Sequence, residues 1–243
     1  MADKKNRHQT SEELRSYGRI ASRMSVAEQA ALDAALEPYI IDPQNLETAF
    51  DVSGPLTVEI GVGKGEQIIE HAKQNPENRY IASEVFKNGL ARMRREIEQH
   101  GLQNLKLYSE DGRELLAGLP DGSVDKLVVL YPDPWPKSRH KKRRIVNKQL
   151  LQEAARLVKP EGEVLLVTDV VDYALWMLAA VHNEGTFFPT AITPEAWSKP
   201  PADWVTTGYE RKAKKEGRHP FYFVLKHRDA MERQNHNKGE TTE

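Results

Sequence analysis

Residues 127–144, LVVLYPDPWPKSRHKKRR, place a carboxylate and an indole at the start of a strongly basic segment. Three prolines in this segment alternate with Tyr131, Asp133 and Trp135, and they favour an extended backbone at those three positions. An aspartate held in this way has little conformational freedom, as a preorganised binding or catalytic group requires. Asp133 is therefore a candidate for chemistry, and Trp135 could either stack on a base or cover a pocket.

The cations of the chain are concentrated in two clusters. The first contains Lys137, Arg139, Lys141, Lys142, Arg143 and Arg144, and the second contains Arg211, Lys212, Lys214, Lys215 and Arg218. A net charge of −1 argues against a nucleic-acid partner when it is taken alone. Concentrated basic patches can nevertheless bind a polyanion. The alternative interpretation is a solvated run of surface charge.

The pattern of apolar residues predicts the elements that position these side chains. Strands are predicted at 56–60, 79–83, 105–108, 124–131 and 163–168, with a further strand near 221–226. Helices are predicted at 65–74, 87–100, 112–117, 147–158 and 171–183, and a turn at 159–162. Strands that alternate with helices indicate an α/β fold, a doubly wound and mostly parallel sheet with helices on both faces.

An acidic residue stands at or just past the end of each of the first five predicted strands. These residues are Glu59, Glu84, Asp111, Asp133 and Asp169. Ligands of such sheets bind beyond the carboxyl ends of the strands. Because a carboxylate placed there costs desolvation unless it has a partner, the pattern predicts a ligand site at this edge of the sheet.

The segment EIGVGKGE follows the first strand and contains Gly61, Gly63 and Gly65. Glycines at such a turn bend the backbone sharply and let a ligand approach without a Cβ in the way. Glu84, at the end of the second strand, could accept hydrogen bonds from both ribose hydroxyls of an adenosine. These two features suit either NAD or S-adenosylmethionine (SAM).

Charge favours SAM over a dinucleotide. Asp111 could contact an adenine amino group, and Glu59 adds negative charge beside a ligand that carries a sulfonium and an ammonium. The pyrophosphate of a dinucleotide would be repelled by this density of carboxylates. For Glu84 and Asp111 the structural alternative is a charge placed near a helix N-terminus.

Asp133 suits guanine among the nucleobases. A carboxylate only accepts hydrogen bonds, and guanine offers a matching pair of donors, its N1–H and its exocyclic amine. Guanine N7 keeps a free lone pair, so no base is needed before it attacks a sulfonium methyl. The chain has no cysteine and its histidines lack metal-ligand spacing, so no metal site is predicted. The basic segment would then neutralise phosphates around the target base.

Four segments of the chain closely resemble bacterial tRNA (guanine-N7-)-methyltransferases: YPDPWPKSRHKKRRIV, EIGVGKGE, TDVVDYA at 168–174 and TTGYERKA at 206–213. RSYGRI at 15–20 resembles the N-terminal arm of that family, so the resemblance covers nearly the whole chain. It implies SAM-dependent methylation of the guanine at position 46 in the tRNA variable loop, on a Rossmann-like fold.

The resemblance also implies roles for individual residues. Cofactor-site carboxylates of the family are matched by Glu59, Glu84, Asp111 and Asp133, and Asp133 also matches the proposed catalytic residue. Its substrate-binding positions are matched by Lys137, Asp169, Thr207, Gly208, Tyr209 and Glu210. Its RNA-contacting stretch is matched by Arg139, His140, Lys141, Lys142, Arg143 and Arg144.

The chain departs from the family pattern at four positions. Gly208 replaces the usual polar residue between the threonine and the aromatic residue. Val170 and Val171 replace a common Trp-Glu pair, and Phe86 stands where His or Tyr is frequent. These departures concern the grip on guanine or tRNA and leave the reaction unchanged.

Composition and length indicate one domain with extensions. With 243 residues and 39% hydrophobic content, the chain can bury a real core. We expect an N-terminal arm and helix at 1–50, the methyltransferase domain at 51–228 and a disordered tail at 229–243. No membrane segment or signal peptide is predicted, which favours a cytoplasmic enzyme. The sequence leaves open whether the protein is a monomer or a homodimer.

Two alternatives to a tRNA methyltransferase remain open at this point. One is a SAM-dependent methyltransferase that acts on another nucleobase or on a small molecule, since fold alone does not determine function. The other is an RNA-binding protein without activity. The complete set of end-of-strand carboxylates argues against the second.

Overall fold

The computed structural model describes residues 24–228. In this part of the chain the strands are β1 (Leu56–Ile60), β2 (Arg79–Ser83), β3 (Leu105–Tyr108), β4 (Val124–Leu130), β5 (Val158–Thr168), β6 (Phe187–Pro189) and β7 (Phe221–His227). The α-helices are α1 (Val26–Leu36), α2 (Glu66–Gln74), α3 (Lys87–His100), α4 (Gly112–Gly118), α5 (Lys148–Leu157), α6 (Val171–Glu184), α7 (Pro194–Trp197) and α8 (Gly208–Lys215). Three 3₁₀-helices cover Glu37–Tyr39, Pro43–Thr48 and Ser138–Arg143.

The strands form a seven-stranded sheet in the order β3-β2-β1-β4-β5-β7-β6. β1 to β5 pair in parallel, whereas β7 runs antiparallel to β5 and β6 runs antiparallel to β7. The strand order reverses between β1 and β4, which is the switch point where doubly wound sheets bind ligands. The carboxyl ends of β2, β1 and β4 therefore lie side by side.

Apolar helix faces cover both sides of the sheet. In β2, Ile81 joins the core formed with α4, α5 and α6, while Tyr80 and Ala82 join the core formed with α1, α2 and α3. α1 begins at a capping box, in which Ser25 and Glu28 bond each other's backbone amides. The α/β fold with helices on both faces is confirmed.

The structure differs from the predicted elements in two regions. β5 begins at Val158 rather than at 163, and the predicted turn at 159–162 lies inside it. Val124 pairs with Val158 before the register shifts, so the early part of β5 is held by β4 rather than by its own sequence. The short elements β6, α7 and α8 were not predicted. β6 and α7 lie at or within the proline-rich stretch 189–201, and α8 has too few apolar residues to give a helical period.

The predicted domain limits stay predictions. Residues 1–23 and the predicted tail at 229–243 lie outside the described residues. Within 24–50, Ile41 donates its backbone N–H to Leu107 at 2.9 Å, and Leu46 and Phe50 are buried in the core. This part of the predicted N-terminal segment therefore belongs to the packed domain. Across 24–228, no helix has the length and apolarity needed to cross a bilayer.

Candidate active site

A cleft of about 590 Å³ lies beyond the carboxyl ends of β1, β2 and β4. Four of the five end-of-strand carboxylates line it: Glu59, Glu84, Asp111 and Asp133. Asp169, the fifth, does not line the cleft; it is buried and forms an ion pair with Arg218. The sheet topology thus brings together side chains that are far apart in sequence.

The three glycines after β1 serve two different purposes. Gly61 and Gly63 have φ angles of +71° and +57°, and a Cβ on either would meet nothing within 4 Å. They therefore allow the turn and leave open space beside the backbone for a ligand. Gly65 also has a positive φ, but a Cβ there would lie 1.8 Å from the Met93 sulfur, so this glycine serves the packing of α2 on α3.

Glu84 is held by backbone amides. Its Oε2 accepts from Gly63 N at 2.6 Å, and its Oε1 accepts from Val85 N at 2.8 Å and Phe86 N at 2.9 Å. Burial raises the pKa of Glu84 despite these three bonds, and the nearby charge of Asp133 adds to the rise. Three bonds leave acceptor capacity on the carboxylate for ribose hydroxyls.

Gly89 was missed by the sequence analysis. A Cβ at this position would lie 2.6 Å from the Gly63 carbonyl oxygen and 2.9 Å from Glu84 Cγ. Glycine inside a helix is unfavourable by about 0.5–1 kcal/mol, and that cost was the signal that could have revealed it. Gly89 lets α3 pack closely against the glycine loop and Glu84.

Asp111 is the N-cap of α4 and also lines the cleft. Its Oδ1 accepts from the backbone N and the Nε of Arg113, both at 3.0 Å, and its Oδ2 accepts from Arg113 Nη2 at 2.6 Å. Burial opposes ionisation, but the bonds from Arg113 outweigh it and lower the pKa of Asp111. The structural alternative named for this residue is therefore present, and a contact with adenine stays a prediction.

Glu59 has no comparable compensation. It is 3% exposed, and burial raises its pKa to about 8, with only a partial opposing effect from Lys126. Burial therefore favours the protonated form of this carboxyl in the ligand-free protein. A cationic ligand beside it would favour the ionised form.

The loop after β4 does not have the extended backbone that we expected. Tyr131 and Trp135 have φ angles of 47° and 40°, in the left-handed region, which costs about 1–3 kcal/mol at a non-glycine residue. Local proline preferences cannot account for this, because tertiary contacts hold both rings. The centres of the Tyr131 and Tyr209 rings lie 4.8 Å apart, and the Arg143 guanidinium lies 3.6 Å from the centre of the Trp135 ring. Asp133, between them, is exposed at the cleft.

Arg144 anchors this loop from below. Its Nε donates to the Pro134 carbonyl at 2.8 Å, and its guanidinium pairs with Asp172 and lies over the rings of Tyr173 and Trp176. The side chain has 0% exposure. In this conformation the Arg144 guanidinium supports the loop from inside the protein, and its contact with RNA stays a prediction.

Some of the other residues of the basic segment contact the protein, and others are exposed to solvent. Lys141 donates to Asp172 at 2.9 Å, and the His140 ring meets Trp135 edge-on at 5.8 Å. Lys137, Arg139 and Lys142 are exposed. Contacts of this segment with RNA stay predictions, and these three exposed cations are the best placed to make them.

The segment before and within α8 supplies the opposite wall. Thr207 caps α8 by accepting from Glu210 N at 3.1 Å, and Tyr209 is 47% exposed at the cleft. Glu210 points away from the cleft: it accepts from Trp204 Nε1 at 2.6 Å and Tyr222 Oη at 3.2 Å. Thr207, Gly208 and Tyr209 are thus brought to the cleft, whereas Glu210 is not.

Similar proteins identify the family to which this chain belongs. The Methyltransf_4 family, described as "Putative methyltransferase", matches residues 53–223. A tRNA (guanine-N(7)-)-methyltransferase from Rhodospirillum rubrum is 42% identical over 71% of this chain and 68% of its own length. One from Roseobacter denitrificans is 37% identical over 86% of this chain and 94% of its own length. The chain belongs to the bacterial tRNA (guanine-N(7)-)-methyltransferase family.

Solved structures support the fold of this family member. An antibiotic-related methyltransferase superposes with a TM-score of 0.55 at 18% identity, over 77% of this chain and 94% of that one. TrmN from Thermus thermophilus gives a TM-score of 0.51 at 22% identity, over 75% of this chain and 46% of that one. The fold is the Rossmann-like fold of SAM-dependent methyltransferases.

SAM is the methyl donor of this methyltransferase, and the cleft fits it. Gly61 and Gly63 leave room for close approach, and Glu84 has free acceptor capacity. Glu59 suits a ligand that is positively charged. Within residues 24–228, no group of three or more His, Cys, Asp or Glu could hold a metal ion.

Three charged residues of the cleft wall were not predicted: Lys64, Glu66 and Lys212. Lys64 and Glu66 flank Gly65, so their place in the glycine motif was an available signal. Lys212 is one turn along α8 from Gly208 and Tyr209, and it was predicted only as part of a basic cluster.

Proposed function

We propose that this enzyme methylates N7 of the guanine at position 46 in the variable loop of tRNA. The observation that carries the proposal is the position of Asp133, which lines the cofactor cleft and is exposed where the cleft meets the basic segment. A base that entered there would lie beside the cleft while its flanking phosphates faced Lys137, Arg139 and Lys142. Relatives that are 37–42% identical over the aligned residues carry the name tRNA (guanine-N(7)-)-methyltransferase.

The residues of the chain divide the work. SAM, when bound, supplies a methyl group on a cationic sulfur. Glu59, Glu84 and Asp111 would hold it, with Gly61 and Gly63 beside it. Asp133 would accept from guanine N1–H and the exocyclic amine, which orients the base and offsets the positive charge that N7-methylation leaves on the ring. No general base is required, because N7 has no proton to lose.

Methyl transfer to RNA tests the proposal directly. The enzyme is incubated with labelled SAM and tRNA transcripts that lack modification, and the digested product is analysed by nucleoside. We expect N7-methylguanosine, and we expect it to be absent when the transcript carries adenosine at position 46. Labelling at another base or only in small molecules would favour the alternative methyltransferase. SAM binding without transfer to any RNA would contradict the proposal.

Asp133→Asn separates orientation of the base from binding of tRNA. Asparagine keeps the size of the side chain, but it presents a donor where guanine also donates. We expect single-turnover transfer with saturating tRNA and SAM to lose most of its rate, while tRNA affinity changes little because phosphate contacts dominate it. A near-wild-type rate in the variant would mean that Asp133 is a structural loop residue.

The partner and the compartment follow from the same proposal. tRNA is the partner and the cytoplasm is the site of action, where tRNA is modified. Light scattering of the enzyme with and without tRNA would determine whether one subunit or two bind each tRNA.

A further inference from the structure

Glu66 joins the cofactor side of the cleft to its substrate side. It is the first residue of α2, directly after the glycine loop, and its carboxylate lines the cleft. Its Oε2 accepts from the backbone N–H of Gly208, at the start of α8, and its Oε1 lies 3.5 Å from Arg211 Nη2. One carboxylate thus bonds two residues that are about 140 positions away along the chain.

Gly208 makes room for this carboxylate. A Cβ at position 208 would lie 3.3 Å from both carboxylate oxygens of Glu66, which is tight contact. The Gly208 N–H is one of the first amides of α8, which have no partner inside the helix. A carboxylate at that end also interacts favourably with the helix dipole. Glu66 therefore caps α8 from another element.

Two further bonds tie the preceding segment to α2. Gln67 Oε1 accepts from Val205 N at 3.1 Å, and His71 Nε2 lies 2.9 Å from the Asp203 carbonyl oxygen. Gln67 also lines the cleft beside Glu66, whereas His71 lies one turn farther along α2. Glu66 bonds α8 itself, at the residue directly before Tyr209.

Tyr209 connects this contact to the loop of Asp133. Its ring lies 4.8 Å from the ring of Tyr131, which precedes that loop. We propose that Glu66 is a positioning residue for the tRNA substrate, acting by fixing Thr207, Gly208 and Tyr209 against the glycine loop. This inference rests on the proposed function, in which the cleft receives a tRNA base.

The test compares Glu66→Ala with Glu70→Ala. Glu70 lies one turn later on the same helix and bonds Lys73 and Gln74 at the surface, so it controls for removal of an acid from α2. Removing a bond to a charged acceptor predicts a rise in KM for tRNA of about tenfold in Glu66→Ala. We expect the Kd for SAM to stay within about twofold, and we expect Glu70→Ala to match the wild type.

Two more variants keep the test decisive. Glu66→Gln retains an acceptor for the Gly208 N–H, so it should recover part of the tRNA affinity. Gly208→Ala presses on the carboxylate from the other side and should raise KM for tRNA as well. Because both changes break the same interaction, the double variant Glu66→Ala/Gly208→Ala should be no worse than Glu66→Ala alone. Additive effects would contradict the proposal.

Amide hydrogen exchange of the ligand-free protein separates this inference from the proposed function. The peptide that contains Gly208 should exchange faster in Glu66→Ala than in the wild type or Glu70→Ala. Unchanged exchange, or equal decreases in SAM and tRNA affinity, would overturn the positioning role. If the wild type methylates no tRNA while exchange responds as expected, the proposed function has failed and the bond between Glu66 and Gly208 itself stands.

Discussion

Backbone hydrogen bonds fix the orientation of the Glu84 carboxylate in the ligand-free cleft. Backbone amides from the glycine loop and from the start of the next turn hold both carboxylate oxygens. The group is 4% exposed, so it has given up most of its hydration before any ligand arrives. A ribose that bonds it therefore does not have to order the side chain, which favours affinity.

Replacing Glu84 tests this arrangement. We expect Glu84→Ala to weaken SAM binding by about 1.5–3 kcal/mol, because a charged acceptor for the ribose is removed and the Gly63 amide is released. The measurement is a calorimetric titration with SAM. Glu110→Ala is the control, since Glu110 is exposed and does not line the cleft. Unchanged affinity in Glu84→Ala would remove this residue from the cofactor site.

The loop after β4 has a strained backbone, and a residue outside the loop stabilises it. Tyr131 and Trp135 are both left-handed, so the loop costs free energy that packing has to offset. Arg144 does this by bonding the Pro134 carbonyl and Asp172 together, in a position where its side chain is fully buried. The last residue of the basic run thus supports the site from inside the protein.

Arg144→Lys keeps the charge and removes the planar fork. A lysine cannot bond the Pro134 carbonyl and Asp172 in the same geometry, so we expect stability to fall by about 1–3 kcal/mol and methyl transfer to slow. Denaturant unfolding and single-turnover transfer measure the two effects. Arg139→Lys, on the exposed part of the same segment, should change neither. If Arg144→Lys behaves like Arg139→Lys, the anchoring role is wrong.

The exposed cations should act through phosphates. Neutralising Lys137, Arg139 and Lys142 to Gln should weaken tRNA binding and reduce its salt-dependence slope by about 0.7–0.9 for each phosphate that is no longer neutralised. SAM affinity should not change. Filter binding of tRNA over a range of salt concentrations gives the slope. An equal decrease in affinity for both ligands would indicate a folding defect rather than weaker binding of phosphates.

The sequence predicted those parts of the site that local pattern determines. Strands β1, β2 and β3 have the expected limits, and the carboxylates at their ends meet because parallel strands end at one edge. The roles of Arg144 and Glu66 were not accessible, because each depends on a partner distant in sequence, Asp172 in one case and Gly208 in the other. The sequence of a basic run, or of a charged residue within a glycine motif, does not show whether the charged side chain faces solvent or the core.

The doubly wound topology places several carboxyl groups at one edge of the sheet, and burial there disfavours the ionised form of Glu59. Its pKa is raised by burial to about 8. A carboxyl whose pKa is raised in the folded state stabilises the fold below its ordinary pKa, and that contribution disappears as pH rises toward about 8. The ligand-free protein should therefore lose stability from Glu59 across this range.

The affinity for SAM should change with pH in the opposite direction to the stability of the ligand-free protein. The sulfonium of SAM favours the ionised form of Glu59, so binding should release a proton, and affinity should rise with pH up to about 8, by at most about tenfold per pH unit. Glu59→Gln mimics the protonated carboxyl and should bind SAM more weakly, with a flatter dependence. Calorimetry of both proteins between about pH 6 and 8.5 makes the comparison, and titration of the ligand itself cancels between them. Parallel pH profiles for the two proteins would show that Glu59 does not ionise on binding, and that the cleft accommodates the cation through Glu84 and Asp111 instead.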